Sequence, residues 1–308
     1  MFQMKLHAIV TISTLALTVA AVGAQDLAKL QIGDNQRVFP ESITSTTDGT
    51  IYAGSMLTGL IFKGKMGDAA AIAWTQPATE GPTGVAGVYA DEKTGLLWAC
   101  YVDLAAFAGG ESQPSILRTY NIADGSLAGT YPLPEKSFCN DIATAEDGTA
   151  YIADTSGARI MRLKPGATEL DSWYADASLG GVDGLDFDDS GVLYANNVMT
   201  GTLFRVGIGA DGAPTGTTNI ATSAPLAGPD GMRFGDDGRL YVAENGAGRV
   251  SALTIDGDKA EVTVLKDGFD MPTAVALLGH EVLVGEARFS QMQSENPGQF
   301  YVYAVPLH

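Results

Sequence analysis

Met232-Arg-Phe-Gly-Asp-Asp237-Gly238-Arg-Leu240-Tyr241-Val242-Ala243-Glu244 reads as a hairpin: a short apolar start, an Asp-Gly turn, and a second strand carrying an aromatic. Glycine supplies the positive φ that such a turn demands. The pattern recurs along the chain. Ile43 to Asp48-Gly49 leads into Ile51-Tyr52-Ala53, and Ile142 to Asp147-Gly148 leads into Ala150-Tyr151-Ile152-Ala153-Asp154. Leu185 to Ser190-Gly191 leads into Val192-Leu193-Tyr194-Ala195-Asn196. Looser copies run from Val88 through Gly95 to Leu97-Trp98-Ala99, and from Val275 to Val282-Leu283-Val284.

Outward from each hairpin lies a small polar loop and a third strand, as in Arg159-Ile160-Met161-Arg162-Leu163 and Thr202-Leu203-Phe204-Arg205-Val206. A fourth, less regular strand follows, for example Ile72-Ala73-Trp74 or Ser172-Trp173-Tyr174. Four strands per repeat of 40-odd to 50-odd residues, with no helical periodicity, predict propeller blades. The fold expected is therefore all-β: a six-bladed β-propeller with four antiparallel strands per blade. An all-β sandwich leaves the in-register repeat unexplained. Six copies fill residues 25–308 as one domain, with no room for a second. Ring closure needs the last sheet to be completed from the other terminus, and Phe300–Ala304 with Leu27–Ile32 are the candidates.

The first residues do not belong to that repeat. Met1–His7 carries Lys5 and no acid, Ala8–Val22 is apolar or small, and Val22 and Ala24 are small. This order reads as a secretory leader cleaved after Ala24, which places the mature chain in the periplasm or outside the cell. The apolar run is shorter than the roughly 20 residues a membrane-spanning helix needs. A net charge of −18 and a pI near 4.3 exclude a nucleic-acid binder, which needs clustered Lys and Arg. Cys100 and Cys139 are the two cysteines. In an oxidising compartment they could pair, or equally stay as buried thiols.

In a propeller the first strand of each blade lines the axis. Counting back seven positions from the residue before each turn glycine gives one equivalent site per blade: Glu41, Asn140, Asp183 and Asp230. The looser repeats, aligned on their apolar residues, give Ala86 and Thr273. Three carboxylates converging on one axis repel one another unless a cation lies between them. An oxygen-only donor set favours a hard divalent cation, Ca²⁺ before Mg²⁺ or Mn²⁺, with Zn²⁺ a further option. The blander reading is that these acids cap turns or bind channel water, but it leaves their common register unexplained.

Pro40-Glu41, Asn140-Asp141-Ile142, Val182-Asp183-Gly184-Leu185 and Gly228-Pro229-Asp230-Gly231-Met232 resemble the blade-start motifs of the regucalcin/gluconolactonase family. Paraoxonase-like and strictosidine-synthase-like propellers are more distant relatives. The resemblance covers essentially the whole mature chain. It implies that Glu41, Asn140, Asp183 and Asp230 hold a divalent metal, that Asn140 also contacts substrate, and that the activity is a lactonase or related ester hydrolase. Two departures stand out. The third ligand is usually Asn in the family and is Asp183 here, which tightens cation binding and blunts Lewis acidity. Sugar-lactone members tend to carry Arg two residues before Asn-Asp, where this chain has Phe138, which points to a more apolar substrate edge.

The expected chemistry is cation-assisted hydrolysis, with Asp230 as the proton acceptor and Asn140 orienting the substrate or stabilising the oxyanion. Long loops at Asp103–Pro114 and Glu286–Gly298 are candidate specificity walls, with Leu104, Phe107, Arg288 and Phe289 as lining residues and Arg288 suited to a substrate carboxylate. Other machinery is absent from the sequence: there is no Gly-x-Ser-x-Gly elbow, and His280 falls in a hairpin turn opposite the mouth. Asp186 to Gly191 imitates the start of an EF-hand but lacks the closing Glu, which is Asn197. The glycines of Gly207 to Gly212 belong to a turn. The main alternative function is a non-catalytic binding propeller with a structural calcium; an isomerase or lyase on the same platform is a third. A propeller closes its own sheet edges, so a monomer is expected.

Overall fold

The computed structural model describes residues 27–34, 37–77, 80–105 and 112–307. The leader through Ala24 and the loop residue Phe107 lie outside the described residues. Within them the chain is all strand and turn, apart from isolated short 3₁₀ turns such as Ala177–Leu179 and Phe289–Gln291. The turn chemistry read from the repeat holds: Gly49, Gly148, Gly191 and Gly238 take φ between 74° and 84°. The preceding acids close these turns with their side chains, as when Asp188 Oδ1 accepts from the backbone N–H of Ser190 and Val192.

The strands form a propeller-like arrangement of four four-stranded sheets and one eight-stranded sheet. In the eight-stranded sheet, two successive antiparallel meanders meet edge to edge through a short parallel pairing, Ala221 with Lys259 and Thr222 with Ala260. The first strands of the six repeats are Pro40–Ser45, Gly84–Asp91, Cys139–Thr144, Val182–Phe187, Pro229–Phe234 and Pro272–Leu278. Each packs against the next, and the last packs against the first, so these inner strands enclose an axis. Ala28–Gln31 pairs with Tyr301–Pro306 as the outermost strand of the final sheet, which closes the ring by joining the two ends of the described chain.

Burial falls from the axis outward. Inner and second strands are almost wholly buried, whereas outer strands such as Leu127–Pro132 and Lys259–Asp267 are largely exposed. The aromatics of the second strands fill the gaps between sheets: Tyr151 meets Trp173 of its own sheet at 4.8 Å and Phe187 of the next at 5.5 Å. Tyr194 meets Phe234 across the following gap at 5.2 Å. Edge-to-face aromatic pairs add to the stabilisation from area burial. The two cysteines form a disulfide, Cys100–Cys139, with Cα atoms 5.2 Å apart. It staples the second strand of one sheet to the inner strand of the next, one residue before Asn140.

Each inner strand carries an irregularity that the sequence does not announce. Its pairing with the second strand slips between Pro40 and Ser42, Val85 and Val88, Cys139 and Ile142, Val182 and Leu185, Pro229 and Met232, and Pro272 and Ala274. The residues caught in these bulges are the axial ones: Glu41, Ala86, Asn140, Asp183, Asp230 and Thr273. A bulge unpairs a residue and re-aims its side chain. Glycine follows three of these residues because a neighbouring strand presses there. A Cβ on Gly87 would sit 1.8 Å from the Asn140 carbonyl, and one on Gly184 would sit 2.4 Å from that of Asp230.

Candidate functional site

The bulges bring Glu41, Asn140, Asp183, Asp230 and Thr273 around one small cavity of about 10 Å³, room for a single water-sized occupant. All five are buried. Asn140 Nδ2 donates to Asp183 Oδ2 at 2.8 Å and lies 3.2 Å from Thr155 Oγ1, whose own hydroxyl donates to the Val182 carbonyl. Asp230 Oδ2 accepts from Asn245 Nδ2 at 2.6 Å, and its Oδ1 accepts from the Gly231 amide at 3.0 Å. Thr273 Oγ1 donates to the Glu41 carbonyl at 2.5 Å. The sequence reading placed the four oxygen-bearing residues on one axis, and the structure gathers all four.

Electrostatically the cluster is short of positive charge. Burial holds the Glu41 carboxyl well above the usual carboxylate range, and repulsion from Asp230 and Asp141 adds to it. Burial likewise raises Asp183, reinforced by the charges of Asp230 and Glu41. Asp230 is pushed up to about 7 by burial, although its bonds to Asp183, Asn245 and Gly231 act to lower it. Asp183 and Asp230 touch, and two carboxyls in contact cannot both ionise without compensation.

Among the described residues, no three His, Cys, Asp or Glu side chains already stand in metal-ligand geometry. The carboxylates face one another and the amides of Asn140 and Asn245 instead. The donor set nevertheless fits a hard cation. Asp183 Oδ1 is buried with no hydrogen-bond partner, which is a costly state for a carboxyl oxygen. The ring contributes oxygens only, from three acids, an amide and a hydroxyl, and such sets suit Ca²⁺.

Several supporting residues were not legible as such in the sequence. Thr155 and Asn245 each follow the last residue of a second strand and reach the axial residue of their own repeat. Asn196 accepts from the Gly184 amide and donates to the Asp230 carbonyl, linking two adjacent inner strands. Behind them runs a second register of buried polar residues at the second-strand ends: Ser55, Asp154, Asn197, Glu244 and Glu286. These tie down the segments that enter five of the six inner strands. Asp154 accepts from the Phe138 amide and Glu244 from the Ala227 amide, each also paired with an arginine five residues on. That five-residue Asp/Glu-to-Arg spacing is the one sequence signal that could have found them.

The proposed pocket residues sit as follows. Phe138 is half-buried against the main core, as are Leu104 and Phe289. Phe289 stacks on Phe39 with ring centroids 6.4 Å apart. Arg288 donates to the Gln299 carbonyl at 2.8 Å, lies 3.8 Å from Asp270 and covers Phe300, so its guanidinium is engaged by residues flanking its loop. Arg37 donates to the carbonyls of Met292 and Ser294 and fastens that loop to the segment entering the first inner strand. His280 lies among the hairpin turns with Thr47 and Asp237 and does not border the axial cavity.

Residues 39–284 match the family model described as the SMP-30/Gluconolactonase/LRE-like region. No curated protein sequence matches the chain. Among solved structures, the calcium-binding protein regucalcin from Agrobacterium tumefaciens is 19% identical, with 92% of this chain and 96% of that one covered and a TM-score of 0.63. A luciferin-regenerating enzyme is 13% identical over 91% of this chain and 92% of its own, with a TM-score of 0.64. Virginiamycin B lyase from Staphylococcus aureus is 14% identical over 91% and 99%, with a TM-score of 0.61. At these identities the likeness establishes the fold.

Proposed function

Because this chain belongs to the SMP-30/gluconolactonase/LRE-like family, we propose that it is a divalent-cation-dependent hydrolase of a lactone or carboxylic ester, with Ca²⁺ as the cation. The observation that carries this reading is the ring of Glu41, Asn140, Asp183 and Asp230 around one buried cavity, with Asp183 Oδ1 left without a partner. The regucalcin neighbour is described as calcium-binding, which supports the choice of cation. We count the eight-stranded sheet as two blades, which makes the chain a single six-bladed propeller over residues 25–308. The leader-like first residues and the Cys100–Cys139 disulfide support export to the periplasm or beyond. We take the protein to act as a monomer.

Glu41, Asn140, Asp183 and Asp230 would hold the cation, which when bound polarises the ester carbonyl and raises the acidity of water. Asp230 takes the proton of the attacking water. Burial pushes its pKa up to about 7 in the cation-free protein, and a cation beside it would lower that value and free the carboxylate to accept a proton. Asn245 and the Gly231 amide fix the orientation of its two oxygens. Asn140 holds the substrate oxygen with its amide, and Thr155 sets the rotamer of that amide. In this reading Phe138 supplies an apolar wall for the substrate, and Arg288 would have to leave Gln299 and Asp270 to meet a substrate carboxylate. The purified mature protein should open lactones or cleave aryl esters when Ca²⁺ is added and stop when it is chelated, with Asp230→Ala inactive. The opposite result, no turnover while Ca²⁺ still raises the melting temperature, leads to the second reading: a non-catalytic binding propeller with a structural cation. The extra negative charge of Asp183 favours that second reading, since it strengthens cation holding at the expense of Lewis acidity.

A further inference from the structure

Just below the axial ring, away from its mouth, stands an arginine that the repeat does not require. Arg233 lies three residues beyond Asp230 on the fifth inner strand, and its side chain is only 11% exposed. Its Nη1 and Nη2 each donate to one oxygen of Asp141 at 2.8 Å, on the third inner strand. Nη1 also donates to the Leu185 carbonyl of the fourth strand at 3.1 Å and to the Met232 carbonyl at 2.6 Å. Its guanidinium lies 5.4 Å from the ring of Tyr89, on the second inner strand, which stands opposite the fifth. The arginine therefore crosses the axis. Asp141 in turn accepts from the Leu185 amide at 3.0 Å.

The partners of this guanidinium are the chain neighbours of the axial residues. Asp141 is bonded to Asn140, Leu185 is two residues past Asp183, and Arg233 is three past Asp230. A planar, bidentate fork fixes distance and angle in a way a point charge cannot. Both Asp141 and Arg233 also border the axial cavity. We infer that Arg233 is the positioning residue of the axial site: bridged to Asp141 and Leu185, it sets the spacing of Asn140, Asp183 and Asp230 and thereby the affinity and selectivity of the ring for its cation. This rests on the cation-binding reading of the ring.

Two variants keep the local charge sum of the parent: Arg233→Lys, and the paired Arg233→Met with Asp141→Asn. The pair also avoids leaving Asp141 as an uncompensated buried carboxylate, so it folds where Arg233→Met alone could fail. Chelator-stripped parent and variants are titrated calorimetrically with CaCl₂ and with MgCl₂, and their amide hydrogen exchange is followed without cation. The expected result is Ca²⁺ binding weakened by about 10- to 100-fold in both variants, the usual cost of losing an outer-shell partner, with a changed Ca²⁺/Mg²⁺ ratio and no rescue by lysine. Exchange at the amides of Leu185, Gly231 and Phe234 should accelerate. Parental Ca²⁺ affinity and ratio in Arg233→Lys would overturn the inference, because charge alone would then suffice. Should the parent bind neither ion, the cation reading of the ring fails, and unchanged exchange at those three amides overturns the strut independently.

Discussion

Raising the pH of the cation-free protein should destabilise it, and calcium should reverse the loss. Asp230 is held at about 7 in the folded chain against an ordinary 3.8, chiefly by burial. A folded-state pKa above the unfolded one means the native state retains a proton that the unfolded chain gives up. The stabilisation is complete below about pH 4, where both states are protonated, and is lost as pH rises through 7. The gap corresponds to about 4 kcal/mol, and Glu41 and Asp183 shift in the same direction. At about 2.1 cal/mol/K of unfolding entropy per residue, 4 kcal/mol is roughly 6–7 °C in melting temperature for a chain of this size. A cation among the three carboxylates replaces the protons, so its stabilising increment should be small at pH 5 and large at pH 8. The assay is thermal unfolding across that range, with excess Ca²⁺ and with chelator, on the parent and on Asp230→Asn. Asp186, raised to about 6 by burial outside the axial ring, contributes a background fall that Ca²⁺ does not rescue. A calcium increment that stays flat from pH 5 to 8, or a step near 7 that survives in Asp230→Asn, refutes the reasoning.

Asn245→Ala removes a donor from the Asp230 carboxylate; the Asp230 pKa should rise further, and the acidic limb of the kcat/KM profile should move to higher pH, whereas an unmoved limb separates Asp230 from catalysis. Gly184→Ala places a methyl 2.4 Å from the Asp230 carbonyl, and denaturant unfolding should show a loss of about 1–3 kcal/mol from overpacking, with weakened Ca²⁺ binding because the strand carrying Asp230 must shift. Replacing both Cys100 and Cys139 with serine opens a loop spanning 39 residues; chain-entropy reasoning expects a stability loss of about 4 kcal/mol, and identical urea midpoints with and without reductant would contradict it.

The hairpin-and-turn repeat could be read from the sequence because its determinants are local. An Asp-Gly pair closes a turn whatever surrounds it, and the alternation of apolar and aromatic residues marks each second strand. Glu41, Asn140, Asp183 and Asp230 were equally legible, since they keep a fixed distance of seven positions from those turns. The disulfide was not, because either state of Cys100 and Cys139 is compatible with their spacing. Nor do the bulges have a local determinant: they lie where one inner strand presses on the next, and only the glycines at 87, 184 and 231 record that pressure. Nothing local connects Asp141 to Arg233, 92 residues away, or tells Asn245 from any other polar residue in a loop. A repeat fixes what each unit is by short-range stereochemistry. Which side chains meet on the axis is decided when the ring closes and brings units from opposite sides within hydrogen-bonding distance.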